Sequence, residues 1–338
     1  MDSMVLRKVS VIIPIFNLVD YVEQLIDNLK KQTYKNAEYL IIDDGSTDKS
    51  IDVLLTLTKN DTRFKIIQTR KTGVSDSRNL GLKIAAGEFV IFIDGDDFFE
   101  KDMVSQYVDA ILSNDTDIEF FSFIRSKGSD LEKWKISGSK IGNASNDVNH
   151  ILGQKDLLLE ISKGVIGGYT FAYISKKSLW NGIGFPSNID RLEDLYGLVQ
   201  LLKRNPKITG HINNTSYYYY VTRESSLMNC MSWNDRLEIL LTYQKIFALT
   251  GEFEEMIKSF YGLYFYSALQ SLKVAALSQD RYYFKRFRKI ALNGYFKSKL
   301  DVRHRIYASV ICAISLVLGM NGLGSFLKFR EKTRIKED

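Results

Sequence analysis

Phe89-Val90-Ile91-Phe92-Ile93-Asp94-Gly95-Asp96-Asp97 is the stretch on which the reading of this chain turns. Its opening apolar run is too short for a helix and has the continuous character of a strand buried on both faces. The acids follow at once, so their carboxylates stand at a strand's end and not on a helix face. Two acids one residue apart in an extended backbone point to the same side. Asp94 and Asp96 are therefore expected to converge on one cation, with Asp97 as an adjacent ligand. Hard oxygen ligands without His or Cys favour Mg2+ or Mn2+ over zinc. A solvated acidic turn is the plain alternative.

Upstream, the same grammar repeats. Val9–Ile15 is a β-branched run ending near Pro14 and Asn17, and Val22, Leu25, Ile26 and Leu29 recur at helical spacing within Tyr21–Gln32. Tyr39–Ile42 reads as a second strand, followed by the loop Asp43–Asp48 and a helix to about Thr58, with Ser46 or Asp48 as its cap. Phe64–Gln68 and Ser75–Ala86 give a third strand and helix. Alternating strands and helices with right-handed crossovers predict an α/β fold, a mostly parallel Rossmann-like sheet flanked by helices. Ligands of such sheets bind outside the carboxyl ends of the strands. The loops Pro14–Asn17, Asp43–Asp48 and Asp94–Asp97 share that edge. Carboxylates gathered there repel unless a cation or proton offsets them.

Downstream, Asp117–Ile124 and His211–Val221 read as strands, with loops around Gly138–Asn149 and Gly164–Gly168. After about Ser225 the pattern turns helical, as in Trp233–Leu249 and Phe253–Ala276. The expected domains are 1–225, in a nucleotide-binding half (1–100) and an acceptor half (101–225), and a helical, basic extension over 226–338.

Of the 338 residues, 45% are hydrophobic and 25% charged, which excludes global disorder and a polytopic membrane protein. Two cysteines and three histidines make neither a disulfide framework nor a zinc cluster. Met1–Ser10 lacks an apolar core of signal-peptide length, so the expected location is cytoplasmic.

The strings quoted above, read together, resemble an inverting family 2 glycosyltransferase of the bacterial surface-polysaccharide type. Val9–Asn17, Gln32-Thr33-Tyr34, Asp43–Asp48, Gly73–Gly81 and Ala86–Asp97 match its opening in order and spacing, and Leu192-Glu193-Asp194 and Tyr218-Tyr219-Tyr220 match its downstream acidic pair and aromatic strand. The resemblance implies a GT-A fold and a nucleotide-diphosphate sugar donor, usually a uridine-diphosphate sugar. It places Pro14, Phe16 and Asn17 at the base, with Phe16 where many relatives have Tyr. Asp44 would hydrogen-bond the base, and Arg78 would lie near the diphosphate. Asp94 and Gly95 would face the ribose and metal side, and Asp96 would be the main metal ligand. Arg223, just after the Tyr run, is read either as a partner of the diphosphate or as a surface arginine. The segment Arg70-Lys71-Thr72-Gly73 departs from the family's usual Asn before the glycine.

A sugar–diphosphate bond breaks with negative charge building on the leaving group, which a cation stabilises. Inversion in one displacement needs one base to take the acceptor's proton. Asp194 is the candidate, with Glu193 orienting it or acting in its place. Two other readings compete: a haloacid-dehalogenase-like phosphotransferase, whose strand also ends in Asp-x-Asp, and a nucleotide-sugar-binding protein without catalysis. A nicotinamide dehydrogenase would need Gly-x-Gly-x-x-Gly after the first strand, where Val9–Asn17 has no glycine.

Arg281–Lys289 interleaves cations with aromatics, and Ile306–Leu327 carries no charge between basic flanks. No recognition motif for nucleic acid accompanies this charge. Peripheral attachment at the inner face of the cell membrane is the favoured reading, with a spanning helix or core burial as alternatives. Asn321-Gly322-Leu323-Gly324 is expected to break the apolar run. The implied acceptor is a glycan or polyprenyl-linked sugar, in capsule or exopolysaccharide synthesis.

Overall fold

The computed structural model describes residues 7–127, 139–141, 150–222, 231–251, 254–298 and 302–334. The chain forms two compact units, Met1–Leu158 with Val165–Cys230, and Leu159–Gly164 with Met231–Asp338.

The first unit opens with β1 (Val9–Ile15), α1 (Val22–Lys30), β2 (Ala37–Asp43), α2 (Ser50–Thr58), β3 (Phe64–Gln68), α3 (Val74–Ile84) and β4 (Phe89–Phe92). It continues with β5 (Phe98–Phe99), α4 (Met103–Ser113), β6 (Ile118–Lys127), β7 (Ser139–Ile141), β8 (Leu152–Gly153), α5 (Gln154–Ser162), β9 (Tyr173–Lys176), α6 (Glu193–Arg204) and β10 (Thr209–Thr222). The strands make one mixed sheet in the order β3-β2-β1-β4-β9-β6-β10-β5, with β7 beside β6 and β8 beside β10.

β1 pairs parallel with β2 on one side and β4 on the other, and β2 pairs parallel with β3. The chain thus builds outward from β1 to β3 and then returns across it to β4. That reversal opens a crevice at the carboxyl ends of β1 and β4. β9 is antiparallel to both β4 and β6, and β10 runs parallel to β6. The β-branched runs are buried because helices cover both faces. Val22, Leu25, Ile26 and Leu29 of α1 pack under Val11, Ile13 and Tyr39. Each such side chain contributes ~2 kcal/mol of burial. Gly81 lets α3 lie directly on Ile12, where a Cβ would collide with that side chain.

The second unit consists, from Met231 on, of α7 (Trp233–Thr250), α8 (Glu254–Leu277), α9 (Arg281–Lys297), α10 (Val302–Val317) and α11 (Gly319–Arg334). The apolar run 306–327 is divided between α10 and α11 at Leu318–Gly319, where Gly319 takes φ 63°. The expected break at Asn321–Gly324 instead lies inside α11. There Gly324 serves close packing, since a Cβ would stand 3.0 Å from the Ala276 carbonyl oxygen. Among the described residues no helix is long and apolar enough to cross a membrane.

Candidate active site

The acidic stretch after β4 is a tight turn, not the extended segment its strand suggested. Pairing with β1 ends at Ile93, whose N–H donates to the Ile12 carbonyl at 3.0 Å. The Asp97 N–H then reaches back to the Asp94 carbonyl at 3.3 Å. Gly95 is required by space: a Cβ there would lie 2.9 Å from Ile15 Cγ2 and 2.8 Å from Leu18 Cδ1. The turn separates the three carboxylates. Asp97 is 2% exposed and faces inward, its Oδ2 accepting from the Tyr218 hydroxyl and its Oδ1 from the Val221 N–H, both at 2.8 Å. Burial pushes its carboxyl well above the ordinary value, and the neighbouring Asp94 and Asp96 push it further. Asp94 and Asp96 remain partly exposed on the turn.

Arg78, near the start of α3, faces this turn from the other side. It is buried, with Nη1 donating to Glu193 Oε1 at 3.0 Å and Nη2 to Asp94 Oδ1 at 3.4 Å. Its guanidinium also lies over the Phe185 ring, 5.4 Å from the centroid. The buried Nε makes no hydrogen bond among the described residues. Burial raises the Asp94 carboxyl above its usual value despite Arg78, with Asp96 and Glu193 adding to the rise. One buried cation thus joins the acidic turn to the acidic start of α6.

That start is held by α3. The Asn79 amide exchanges two hydrogen bonds with the Phe185 backbone, at 2.7 and 2.8 Å, and Ser187 Oγ donates to Asp76. The chain enters α6 through Leu192 at φ 62°, a left-handed conformation that costs a side-chain-bearing residue ~1–2 kcal/mol. Glu193 then turns to Arg78, and Asp194 Oδ1 accepts the N–H of Leu195 at 2.7 Å. Burial first, and Glu193 second, push the Asp194 carboxyl up to about 7, with Arg78 opposing. A carboxyl titrating there is matched to proton transfer near neutral pH.

The expected nucleotide-side residues join the neighbouring loops. Pro14 is the penultimate residue of β1 and lies opposite Ile42. Asn17, at φ 51°, bridges to the second loop: its N–H donates to Ser46 Oγ at 2.9 Å and its Oδ1 accepts from the Thr47 N–H at 2.8 Å. Asp48 holds the N–H of Ser50, the first residue of α2, at 2.9 Å, so the expected capping acid acts from just outside the helix. The buried Asp44 carboxylate accepts from the backbone N–H groups of Thr72 (2.7 Å) and Gly73 (2.9 Å), tying the second loop to the third. Lys71 Nζ sits 4.1 Å from the Phe16 ring centroid. Sequence reasoning missed Lys71, although it lies in Arg70-Lys71-Thr72-Gly73, the segment that departs from the family's usual Asn before the glycine. It also missed Tyr218, noted there only as part of an aromatic strand. Arg223 lies outside the described residues.

Among the described residues no three His, Cys, Asp or Glu side chains group as a metal cluster. Two partly exposed carboxylates on one turn nevertheless fit a hard divalent cation whose remaining oxygens would come from a substrate diphosphate, the usual way Mg2+ is held.

The sequence profile described as glycosyl transferase family 2 matches residues 10–182. This chain belongs to glycosyl transferase family 2. The match runs from β1 through the acidic turn and β9, which excludes the dehalogenase-like reading of the Asp-x-Asp turn. Among curated relatives of this family 2 chain, glycosyltransferase GlyG of Streptococcus pneumoniae is 26% identical over 232 residues, 67% of this chain and 75% of the relative. GlyA of the same organism is 36% identical over 124 residues, 36% of this chain and 18% of its own length. The uncharacterized glycosyltransferase EpsJ of Bacillus subtilis is 34% identical over 110 residues, 32% of each chain. The matched part therefore spans less than a third of GlyA and about a third of EpsJ. Among solved structures, S. aureus TarS 1-349 superposes with a TM-score of 0.63 at 16% identity, covering 96% of this chain and 92% of that one. TarS 1-349 in complex with UDP-GlcNAc gives 0.64 at 17% identity, with the same coverage. At such identity the likeness establishes the GT-A fold.

Proposed function

We propose that this family 2 glycosyltransferase moves a sugar from a nucleoside-diphosphate donor, a uridine-diphosphate sugar, to a hydroxyl of a lipid-linked glycan with inversion. The observation that carries the reading is Asp194, a carboxyl raised to about 7 and joined through Glu193 and Arg78 to the acidic turn. A UDP-GlcNAc-bound relative of the same fold supports the donor class.

Pro14 and Phe16 flank the base, and Asn17 and Asp44 hold the loops that enclose it. Asp96, with Asp94 beside it, would hold Mg2+ or Mn2+, which supplies charge stabilisation to the departing diphosphate when bound. Arg78 orients Asp94 and Glu193 and keeps positive charge beside the leaving group. Asp194 takes the acceptor proton as the acceptor oxygen bonds to the anomeric carbon and the carbon–oxygen bond to the diphosphate breaks. The nucleoside diphosphate leaves with that electron pair.

The lipid-linked acceptor, a role in capsule or exopolysaccharide synthesis and a peripheral position at the inner membrane face belong to the same proposal. The basic and aromatic run of α9 supports them. The experiment is donor hydrolysis and transfer across a panel of nucleotide sugars with Mn2+. Turnover that Asp194→Asn abolishes supports the reading. Tight donor binding with no turnover under any condition returns the chain to a binding protein.

A further inference from the structure

We propose that α10 and the turn after it form a docking face for anionic phospholipid, with Leu316, Val317 and Leu318 inserting below the headgroups. This rests on the membrane-surface part of the function proposed above and names the residues that make the contact.

The first observation is an uncovered apolar face. Ile306, Val310, Ala313 and Val317 recur at four- and three-residue intervals, so they line one side of α10, and all four are exposed. Exposure peaks at the turn, with Val317 at 80%, Leu318 at 61% and Leu316 at 55%. The opposite side of α10 is accounted for: Ala308, Ile311, Cys312 and Ser315 are buried. Three consecutive aliphatic residues open at a convex turn are unusual on a soluble surface.

The second observation is what surrounds that turn. Tyr295 and Ser309 share a hydrogen bond at 2.7 Å, and Arg288 Nη1 donates to the Ser315 carbonyl at 3.2 Å. The two pairs make α9 and α10 antiparallel and place the start of α9 at the level of residues 316–322. The start of α7 joins the same end, because Trp233 stacks on Tyr283 with centroids 4.6 Å apart. Tyr282 is exposed there, as are Arg281, Lys285 and Arg286. The nearby acids are few. Asp235 and Asp280 cap α7 and α9, and Glu238 lies one turn along α7.

Aliphatic tip, aromatic rings and a surplus of cations at one end match the layers of an anionic bilayer surface: acyl boundary, interface and phosphate. A protein partner would also cover an apolar stripe, but nothing in such a partner requires cations gathered around the tip.

The test is co-sedimentation of the full chain with vesicles of phosphatidylcholine alone or mixed with phosphatidylglycerol, alongside donor hydrolysis in solution and light scattering. Wild type should partition to the mixed vesicles and scarcely to neutral ones. Val317→Glu, and separately Lys285→Gln with Arg286→Gln, should each weaken partition on the order of tenfold while donor hydrolysis stays unchanged. Equal binding by wild type and variants, or no binding by wild type, overturns the proposal. So does a Val317→Glu chain that changes oligomeric state with vesicle binding intact, which would make the face a protein interface. Loss of donor turnover in wild type would count against the glycosyltransferase reading alone, since vesicle partition is read independently.

Discussion

The Tyr218 hydroxyl stands between two residues of the acidic turn, donating to Asp97 Oδ2 at 2.8 Å and accepting the Asp94 N–H at 3.2 Å. It comes from the middle of β10, fully buried and stacked on Phe171 at a centroid distance of 4.2 Å. Its position is therefore set by aromatic packing, and it transmits that position to the turn. Asp97 in turn anchors the far end through the Val221 N–H. The partly exposed Asp94 and Asp96 thus stand on a turn fixed by buried hydrogen bonds to β10.

Tyr218→Phe keeps the ring and removes the bridge. The Asp94 N–H and one Asp97 oxygen lose their partner in a buried setting, so stability should fall by ~1–3 kcal/mol in urea titration. Turnover should fall on the order of tenfold through misplacement of the turn, with kcat affected more than the donor KM. Wild-type kcat in a folded Tyr218→Phe chain would remove the positioning role.

In β2, between β1 and β3, Glu38 is buried yet ionised. Burial pushes its carboxyl up, but Lys65, Ser10, the Ala86 N–H and Lys8 together outweigh that and hold it at about 2. A depressed folded value means stability that is present above the unfolded value near 4.5 and is lost as pH falls through 2. Glu38→Gln should destabilise by ~2–3 kcal/mol at neutral pH, and the gap from wild type should close in urea titrations toward pH 2. A gap that is constant with pH would show that the ion pairs contribute nothing.

Much of this frame was legible in the chain itself. β1, β2 and β4 are largely apolar runs because both of their faces are covered, and α1 carries its buried face at helical spacing. β9 was not legible. Its four residues, Tyr173–Lys176, owe their strand to antiparallel partners on both sides, β4 and β6, which are far away in sequence. The Asp-x-Asp pattern marked the right loop but not its geometry. Alternation predicts two acids on one side, whereas the Asp97 N–H bond to Asp94 closes a turn. Gly322 and Gly324 looked like breakers, yet both lie inside α11, where Gly324 serves close packing on Ala276, and the chain turns at Gly319. The links from Arg78 to Glu193 and from Tyr218 to Asp97 join residues more than a hundred positions apart, and local pattern carries no trace of such pairs.

Asp194 predicts a pH profile. Its carboxyl titrates at about 7, so the base form grows through neutrality and kcat/KM should rise about tenfold per unit below that pH and level off above it. The same shift has a stability consequence of opposite sign. A carboxyl raised above its unfolded value of 3.8 leaves stability untouched at low pH, and the cost grows as pH climbs from there toward 7. Asp194→Asn should therefore abolish transfer while stabilising the fold by roughly 1–3 kcal/mol at pH 8, with no gain at pH 3. Thermal unfolding at the two pH values checks the second half independently of activity. A flat rate profile between pH 5 and 9 would remove Asp194 as the base.

Asp96 carries the test of the proposed metal requirement. It is partly exposed on the acidic turn, where Asp94 pairs with Arg78 and Asp97 accepts from Tyr218. In the proposed reading Asp96 would hold a cation brought in with the donor diphosphate, and chelation should suppress turnover until Mn2+ or Mg2+ is restored. Asp96→Asn keeps the size and removes the charge, so turnover should drop on the order of 10²–10³-fold, with the Mn2+ concentration for half-activity rising. Asp97→Asn should behave differently, losing stability without moving the metal requirement, because its oxygens face Tyr218 and the Val221 N–H. Titrating donor hydrolysis against Mn2+ in the three chains separates ligand from scaffold. An unchanged metal requirement in Asp96→Asn would show that the cation, if used, is held elsewhere.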